Sequence, residues 1–208
     1  MVFRPDPSSA SFPPAWLHSW PESPTTITSV NGRRHRILNT PTGPFHVSVD
    51  AEGEVRTGWV SRLEITPRGP GSTEELGRSD PNLLPDLCER ILNAVHGTPV
   101  DFDDVAIAPG TPFQRLIWRA TRTIKAGSVL TYGQLAIKVG RRRAARAVGQ
   151  AMRRNPQPII TPCHRVVSSA GLGGFAGESE NAITSGIKIH LLRVEGIPLT
   201  EPGNVLSS

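Results

Sequence analysis

Apolar residues recur along this chain with two different periods, and the change of period divides it. Between Thr25 and about Ile65, short stretches such as Thr26-Ile27-Thr28 and Phe45-His46-Val47-Ser48-Val49 are broken by Asn31-Gly32 and Glu52-Gly53. Strand formers separated by such turn pairs predict a small antiparallel sheet. Pro67–Pro81 reads as a polar, Gly-rich connection, after which Leu84, Leu87, Cys88, Ile91, Leu92 and Val95 recur at helical spacing and stop near Gly97. Cys88 lies on that stripe and is assigned to packing. Residues 1–23, rich in Pro and Ser without periodicity, read as a loose arm.

The second half reads as mostly helical. Thr111-Pro112-Phe113-Gln114 has the form of a capping box, and Phe113, Leu116, Ile117 and Ala120 supply one apolar face behind it. The device recurs at Thr131-Tyr132-Gly133-Gln134, opening a short helix through Leu135, Ala136 and Val139 that ends at Gly140. Then Ala144, Ala147, Val148, Ala151 and Met152 bury one side of a third helix, whose other side carries Arg143, Arg146, Gln150 and Arg153. A capped short helix, a Gly turn and a basic-faced second helix predict a helix-turn-helix.

Charge distribution sharpens this picture. Between Gly110 and Arg165 lie 12 of the 23 Lys and Arg residues and no Asp or Glu, a positive block where a polyanion such as DNA would sit. Two cysteines are too few for a disulfide framework or a cysteine-rich zinc site, and the six His have no ligand-like spacing, so no metal or cofactor is expected. No run approaches the ~20 apolar residues of a membrane span, and Met1–Pro14 lacks the features of a signal peptide. The expected location is the cytoplasm in a prokaryote or the nucleus in a eukaryote.

After Asn155-Pro156 the chain passes through Ile159-Ile160 into Pro162-Cys163-His164-Arg165-Val166-Val167. A Cys beside a His decides nothing alone, because neighbours in an extended segment face opposite ways. The hexapeptide nevertheless resembles the signature of the O6-alkylguanine-DNA alkyltransferases, the methylated-DNA–protein-cysteine methyltransferases. Its flanks follow in family order: Tyr132-Gly133-Gln134-Leu135-Ala136, Ala144 to Gly149, Asn155-Pro156, Gly171 to Gly177, and Lys188 through Leu191-Leu192 to Glu195-Gly196. The likeness spans roughly Pro109 to Gly196.

The resemblance implies that Cys163 accepts the alkyl group, irreversibly and once. A soft sulfur nucleophile suits attack on an ether-like carbon but must lose its proton first. The resemblance gives that task to His164, through a water, with Glu195 holding the imidazole, and makes Tyr132 the hydroxyl donor to the departing guanine. It implies that the alkylated nucleotide is flipped out of the duplex, with Arg146 filling the gap from the minor groove. Arg143, Ala144, Gly149, Gln150 and Arg153 would meet the DNA, Asn155 would brace the cysteine segment, and Pro162, Arg165, Phe175, Ala176 and Gly177 would line the alkyl pocket.

Phe175 stands where the family commonly has Tyr, Glu178 replaces a glycine and His190 a tryptophan, and the segment between Gly177 and Lys188 is longer than usual. The resemblance also implies the fold class: an α/β N-terminal domain, ribonuclease H-like, plus a mostly α-helical C-terminal domain with a winged helix-turn-helix. The expected divisions are the arm over 1–23, a supporting domain over 24–108, the DNA-binding and alkyl-acceptor domain over 109–200 and a tail over 201–208, in a monomer. A protein that only binds alkylated bases and a helix-turn-helix regulator are the alternatives.

Overall fold

The computed structural model describes residues 32–60, 76–169, 171–173, 182–200 and 204–205. The expected arm, the strand at Thr26-Ile27-Thr28 and most of the Pro67–Pro81 connection lie outside them.

Strand β1 (Arg34–Thr40) pairs antiparallel with β2 (Gly43–Val49), and β2 with β3 (Val55–Trp59). The Glu52-Gly53 turn joins β2 to β3 as expected, Gly53 taking a φ of 83. Alternation puts Leu38, Phe45 and Val47 on one face of the sheet, where they meet Leu87, Cys88, Ile91 and Val95 of helix α1 (Pro85–Val95) in the core. Trp59 packs edge-on against Phe45 at 4.8 Å between centroids.

The sheet order is β3-β2-β1-β4, with β4 (Arg78–Ser79) parallel to β1. This strand falls inside the stretch expected to be only a connection. Two polar residues carry no hydrophobic pattern; backbone bonds make the strand, from Arg78 N–H to the Arg33 carbonyl at 2.9 Å and from Asp80 N–H to that of His35 at 2.7 Å. A side chain on Gly77, at φ 79, would collide with the Arg33 carbonyl.

Helix α2 (Pro112–Arg122) begins with the expected capping box of Thr111 and Gln114. Its buried face is turned from the expected one: Leu116 is 39% exposed, whereas Ile117, Trp118 and Thr121 are buried. Polar groups can go inside because each finds a partner, the Trp118 indole donating to the Ala151 carbonyl at 3.0 Å and the Thr121 hydroxyl to that of Ile117 at 2.8 Å. Helix α3 (Tyr132–Lys138) has a second capping box, Thr131 with Gln134, and gives way at Gly140, φ 72.

Helix α4 (Ala145–Arg153) buries Val148, Ala151 and Met152 against the core, but Ala147 faces solvent and Ala144 precedes the first turn half-buried. The inward stripe is thus narrower than the spacing of small residues suggested. Arg143, Arg146, Gln150 and Arg153 are all exposed, as expected.

Two short elements were not foreseen. Strand β5 (Leu130–Thr131) runs directly into α3 and pairs in parallel with β6 (Val166–Val167), matching Leu130 to Val166 and Thr131 to Val167. Strand β6 in turn follows a 3-10 turn, Cys163–Arg165. Helix α5 (Ala182–Val194) closes this half, burying Ile187, Leu191 and Leu192. Strands β7 (Leu199–Thr200) and β8 (Asn204–Val205) pair beyond it, so part of the expected tail is ordered. Among the described residues no helix is long and apolar enough to cross a membrane.

Candidate active site

The β5–β6 pair explains how distant residues converge. Tyr132 is the first residue of α3, straight after β5, and Cys163 sits one short turn before β6. Because the pairing is parallel, Tyr132 leaves the C-terminal end of the ladder and Cys163 precedes its N-terminal end. A ladder only two residues long keeps the two near each other. Burial, then the neighbouring Cys163, raises the Tyr132 phenol above its usual range. The ring passes near Gly149 of α4 and Gly173, where an added methyl would lie 3.2 Å from it and from the Ser168 N–H.

Cys163 is 8% exposed, and its N–H donates to the Thr161 carbonyl at 2.8 Å. Burial pushes its thiol up; the Asn155 amide, the Lys188 ammonium and the backbone N–H groups of Cys163 and His164 pull the other way without overcoming it. The resting sulfur is therefore a neutral thiol, whereas thiolate chemistry requires a base to act on it.

The next residue carries an imidazole. His164 is 2% exposed, and its Nε2 lies 2.9 Å from Glu195 Oε1. Burial alone would raise the Glu195 carboxyl, but hydrogen bonds and charge from His164 and Arg165 outweigh it and hold the group at about 2. An ionised carboxylate only accepts, so Nε2 carries the hydrogen. Burial lowers His164, against the pull of Glu195, so the imidazole is neutral near pH 7 and its Nδ1 bears a lone pair. Nδ1 is buried without a hydrogen-bond partner among the described residues.

Arg165, expected on the pocket wall, bonds Glu195. Its Nε donates to both Glu195 oxygens at 3.1 Å, Nη2 to Oε1 at 2.8 Å and Nη1 to the Ile124 carbonyl at 2.6 Å. The guanidinium thus clamps the carboxylate that orients His164. Pro162 is buried beside the cysteine, while Phe175, Ala176 and Gly177 lie outside the described residues. A cleft of about 960 Å³ opens behind the relay, lined by Ile124, Lys125, Pro162, His164, Arg165 and Glu195 among others, and Cys163 is not on its wall.

Asn155 bonds the segment that leads to the cysteine on both sides of its amide. Its Nδ2 donates to the Thr161 carbonyl at 2.8 Å and its Oδ1 accepts from Gln157 N–H at 3.1 Å. Lys188 was not singled out as a site residue, yet it is 1% exposed and donates to the carbonyls of Val166 and Leu172 at 2.7 and 2.6 Å. Burial lowers it to about 8, with Cys163 opposing. A lysine set between Ile187 and Leu191 on a buried stripe was the available signal. His190, which replaces the family's common tryptophan, bonds the Val95 carbonyl at the end of α1 at 3.2 Å.

Residues 112–197 match the family profile described as 6-O-methylguanine DNA methyltransferase, DNA binding domain. The chain is 38% identical over 169 residues to the methylated-DNA–protein-cysteine methyltransferase of Shigella flexneri, an alignment covering 76% of this chain and 93% of that protein. This chain belongs to the methylated-DNA–protein-cysteine methyltransferase family. The Methanosarcina acetivorans member is 35% identical, over 78% of this chain and 97% of its own. Among solved structures, Mycobacterium tuberculosis OGT in complex with DNA superposes with a TM-score of 0.62 at 28% identity, covering 78% of this chain and 92% of that one. The Pyrococcus kodakaraensis O6-methylguanine-DNA methyltransferase gives 0.55 at 25%, over 79% and 99%. The methyltransferase family likeness therefore reaches past the C-terminal helices into the sheet.

Proposed function

We propose that this chain reverses alkylation damage directly, moving the alkyl group from O6-alkylguanine in duplex DNA to Cys163 in a single, irreversible turnover. The observation that carries the reading is the buried Cys163 beside an imidazole whose tautomer is fixed by an ionised Glu195. Family membership supplies the reaction, that of a methylated-DNA–protein-cysteine S-methyltransferase.

In the mechanism, the thiol proton passes to His164 Nδ1, through a bridging water as the resemblance implies. The sulfur electron pair attacks the alkyl carbon, a C–S bond forms and the C–O6 bond breaks. The released pair goes to the guanine, whose ring nitrogen takes a proton from the Tyr132 hydroxyl. Glu195 and Arg165 stabilise the imidazolium and hold it in place. The product is a thioether with no good leaving group, so the protein is consumed.

DNA is the partner, and the exposed Arg143, Arg146, Gln150 and Arg153 supply the face of α4 that meets it. We read α3 and α4 as a helix-turn-helix lying in the minor groove, Ala144 and Gly149 allowing close approach and Arg146 replacing the flipped base. The wing and the ribonuclease H-like character of the N-terminal unit rest on the resemblance; the order β3-β2-β1-β4 with β4 parallel to β1 supports the latter. The units are 24–108 and 109–200, in a monomer acting wherever the cell keeps its DNA. A protein that only marks lesions would not need Cys163 and its relay.

Titration of a duplex carrying O6-methylguanine tests the reading: repaired lesions should rise with added protein and plateau at one per chain. Catalytic turnover, or undiminished repair by Cys163→Ala, would contradict it.

A further inference from the structure

The segment from Asn155 to Thr161 is held more tightly than a connection needs, and by residues outside the relay. Gln157 is 2% exposed and all four hydrogen-bonding positions of its side-chain amide are used. Its Nε2 donates to the Val55 carbonyl of β3 at 2.9 Å and to that of Ala106 at 3.2 Å. Its Oε1 accepts from Ala108 N–H at 3.1 Å and from Arg122 Nη2 at 3.0 Å. The opposite amide orientation would set donor against donor and acceptor against acceptor, so the arrangement is unique.

Arg122 completes the clasp. Its Nε donates to the Thr161 hydroxyl at 3.1 Å, and its Nη1 to the Val105 carbonyl at 2.5 Å. Strand β3 adds two bonds of its own, from Thr57 N–H to the Pro156 carbonyl at 3.1 Å and from the Thr57 hydroxyl to that of Pro158 at 2.8 Å. Between these anchors Ile159, a buried β-branched residue, is held at a φ of 73. Such a residue enters the left-handed region only where its surroundings over-determine the backbone. Gln157 N–H, Asn155 and the Thr161 carbonyl then link the clasp to Cys163, whose N–H shares that carbonyl with Asn155 Nδ2.

We propose that Gln157, gripped by Arg122, is a positioning residue: it locks the strained Asn155–Thr161 turn to strand β3 and so sets where Asn155 and the Cys163 sulfur stand. The inference rests on the alkyl-transfer reading for its importance but not for its test. Without the clasp Ile159 relaxes, Asn155 withdraws from the sulfur, and the thiol becomes harder to ionise.

Cys163 ionisation is read from the pH dependence of alkylation by iodoacetamide, using Cys88→Ala as background in every chain. Gln157→Leu, close in volume but without hydrogen bonds, should move the midpoint to higher pH. It should also slow maximal single-turnover transfer about 10- to 100-fold, while affinity for undamaged duplex stays within about twofold, since geometry at the reacting atoms is lost and the DNA-facing surface is not. Arg122→Lys and Thr57→Val, each removing part of the clasp, should shift the midpoint in the same direction by less. Should Gln157→Leu fail to fold, those two decide. Variants that melt lower yet keep the wild-type midpoint and transfer rate would overturn the proposal, because a merely structural role predicts that result. If the wild-type chain transferred nothing, the function would fall while the thiol measurement still judged the clasp.

Discussion

In the proposed reaction Cys163 is a thiol at rest and a nucleophile only in use, because burial raises it while the groups that favour its anion fall short. Such a sulfur is protected from adventitious electrophiles until a base and a positioned alkyl carbon are both present. In the proposed mechanism Tyr132 is the other half of the chemistry, since guanine departs well only if its developing charge is met. Tyr132→Phe keeps the ring and removes the donor; single-turnover transfer should fall on the order of 100-fold with DNA affinity little changed. Unchanged transfer would remove Tyr132 from the mechanism. Cys163 and His164 were legible as neighbours in the sequence, whereas Glu195 needed the resemblance. The Arg165 clamp and Lys188 were hidden because they act on a carboxylate 30 residues away or on backbone carbonyls, which leave no mark on spacing.

At the scale of elements, two capping boxes were legible because their partners are three residues apart and both occur as read. The second does more than start a helix. Thr131 ends β5 and caps α3, so it fixes the direction in which Tyr132 leaves the ladder. Thr131→Ala should cost about 0.5–2 kcal/mol of stability in urea unfolding and slow transfer as well. Lost stability with full transfer would show that the cap only supports the helix. The β5–β6 pair itself was not legible, since two-residue strands lie below any periodic signal. Leu116 and Ala147 show the opposite failure: apolar residues at helical spacing that tertiary packing leaves outside, while Thr121 goes in with a satisfied hydroxyl.

Across the whole molecule, the ionised Glu195 held by Arg165 and His164 also contributes to folding. Glu195 at about 2 lies below the ~4.3 of an unfolded glutamate, so its contribution is complete above that value and is lost as pH falls from about 4 to 2. His164, lowered by burial, adds an acid-side loss that begins below about 6.5. The melting temperature should therefore drop from pH 7 to pH 3, and Glu195→Gln should flatten the part below pH 4; an equally steep slope in that variant would refute the assignment. The split into a sheet-bearing half and a basic helical half was visible in the change of period and the acid-free block. The contacts between the halves, through Thr57, Gln157 and His190, were not, because they pair side chains with backbone far away in sequence.

The central claim is that the sulfur of Cys163 becomes the carrier of the alkyl group. Incubating the protein with a duplex containing O6-methylguanine, then digesting it and sequencing the peptides by mass spectrometry, tests this most directly. The account predicts one added methyl group, on Cys163, with Cys88 unmodified and the DNA restored to guanine. Methyl on another residue, or restored DNA with an unmodified Cys163, would contradict it.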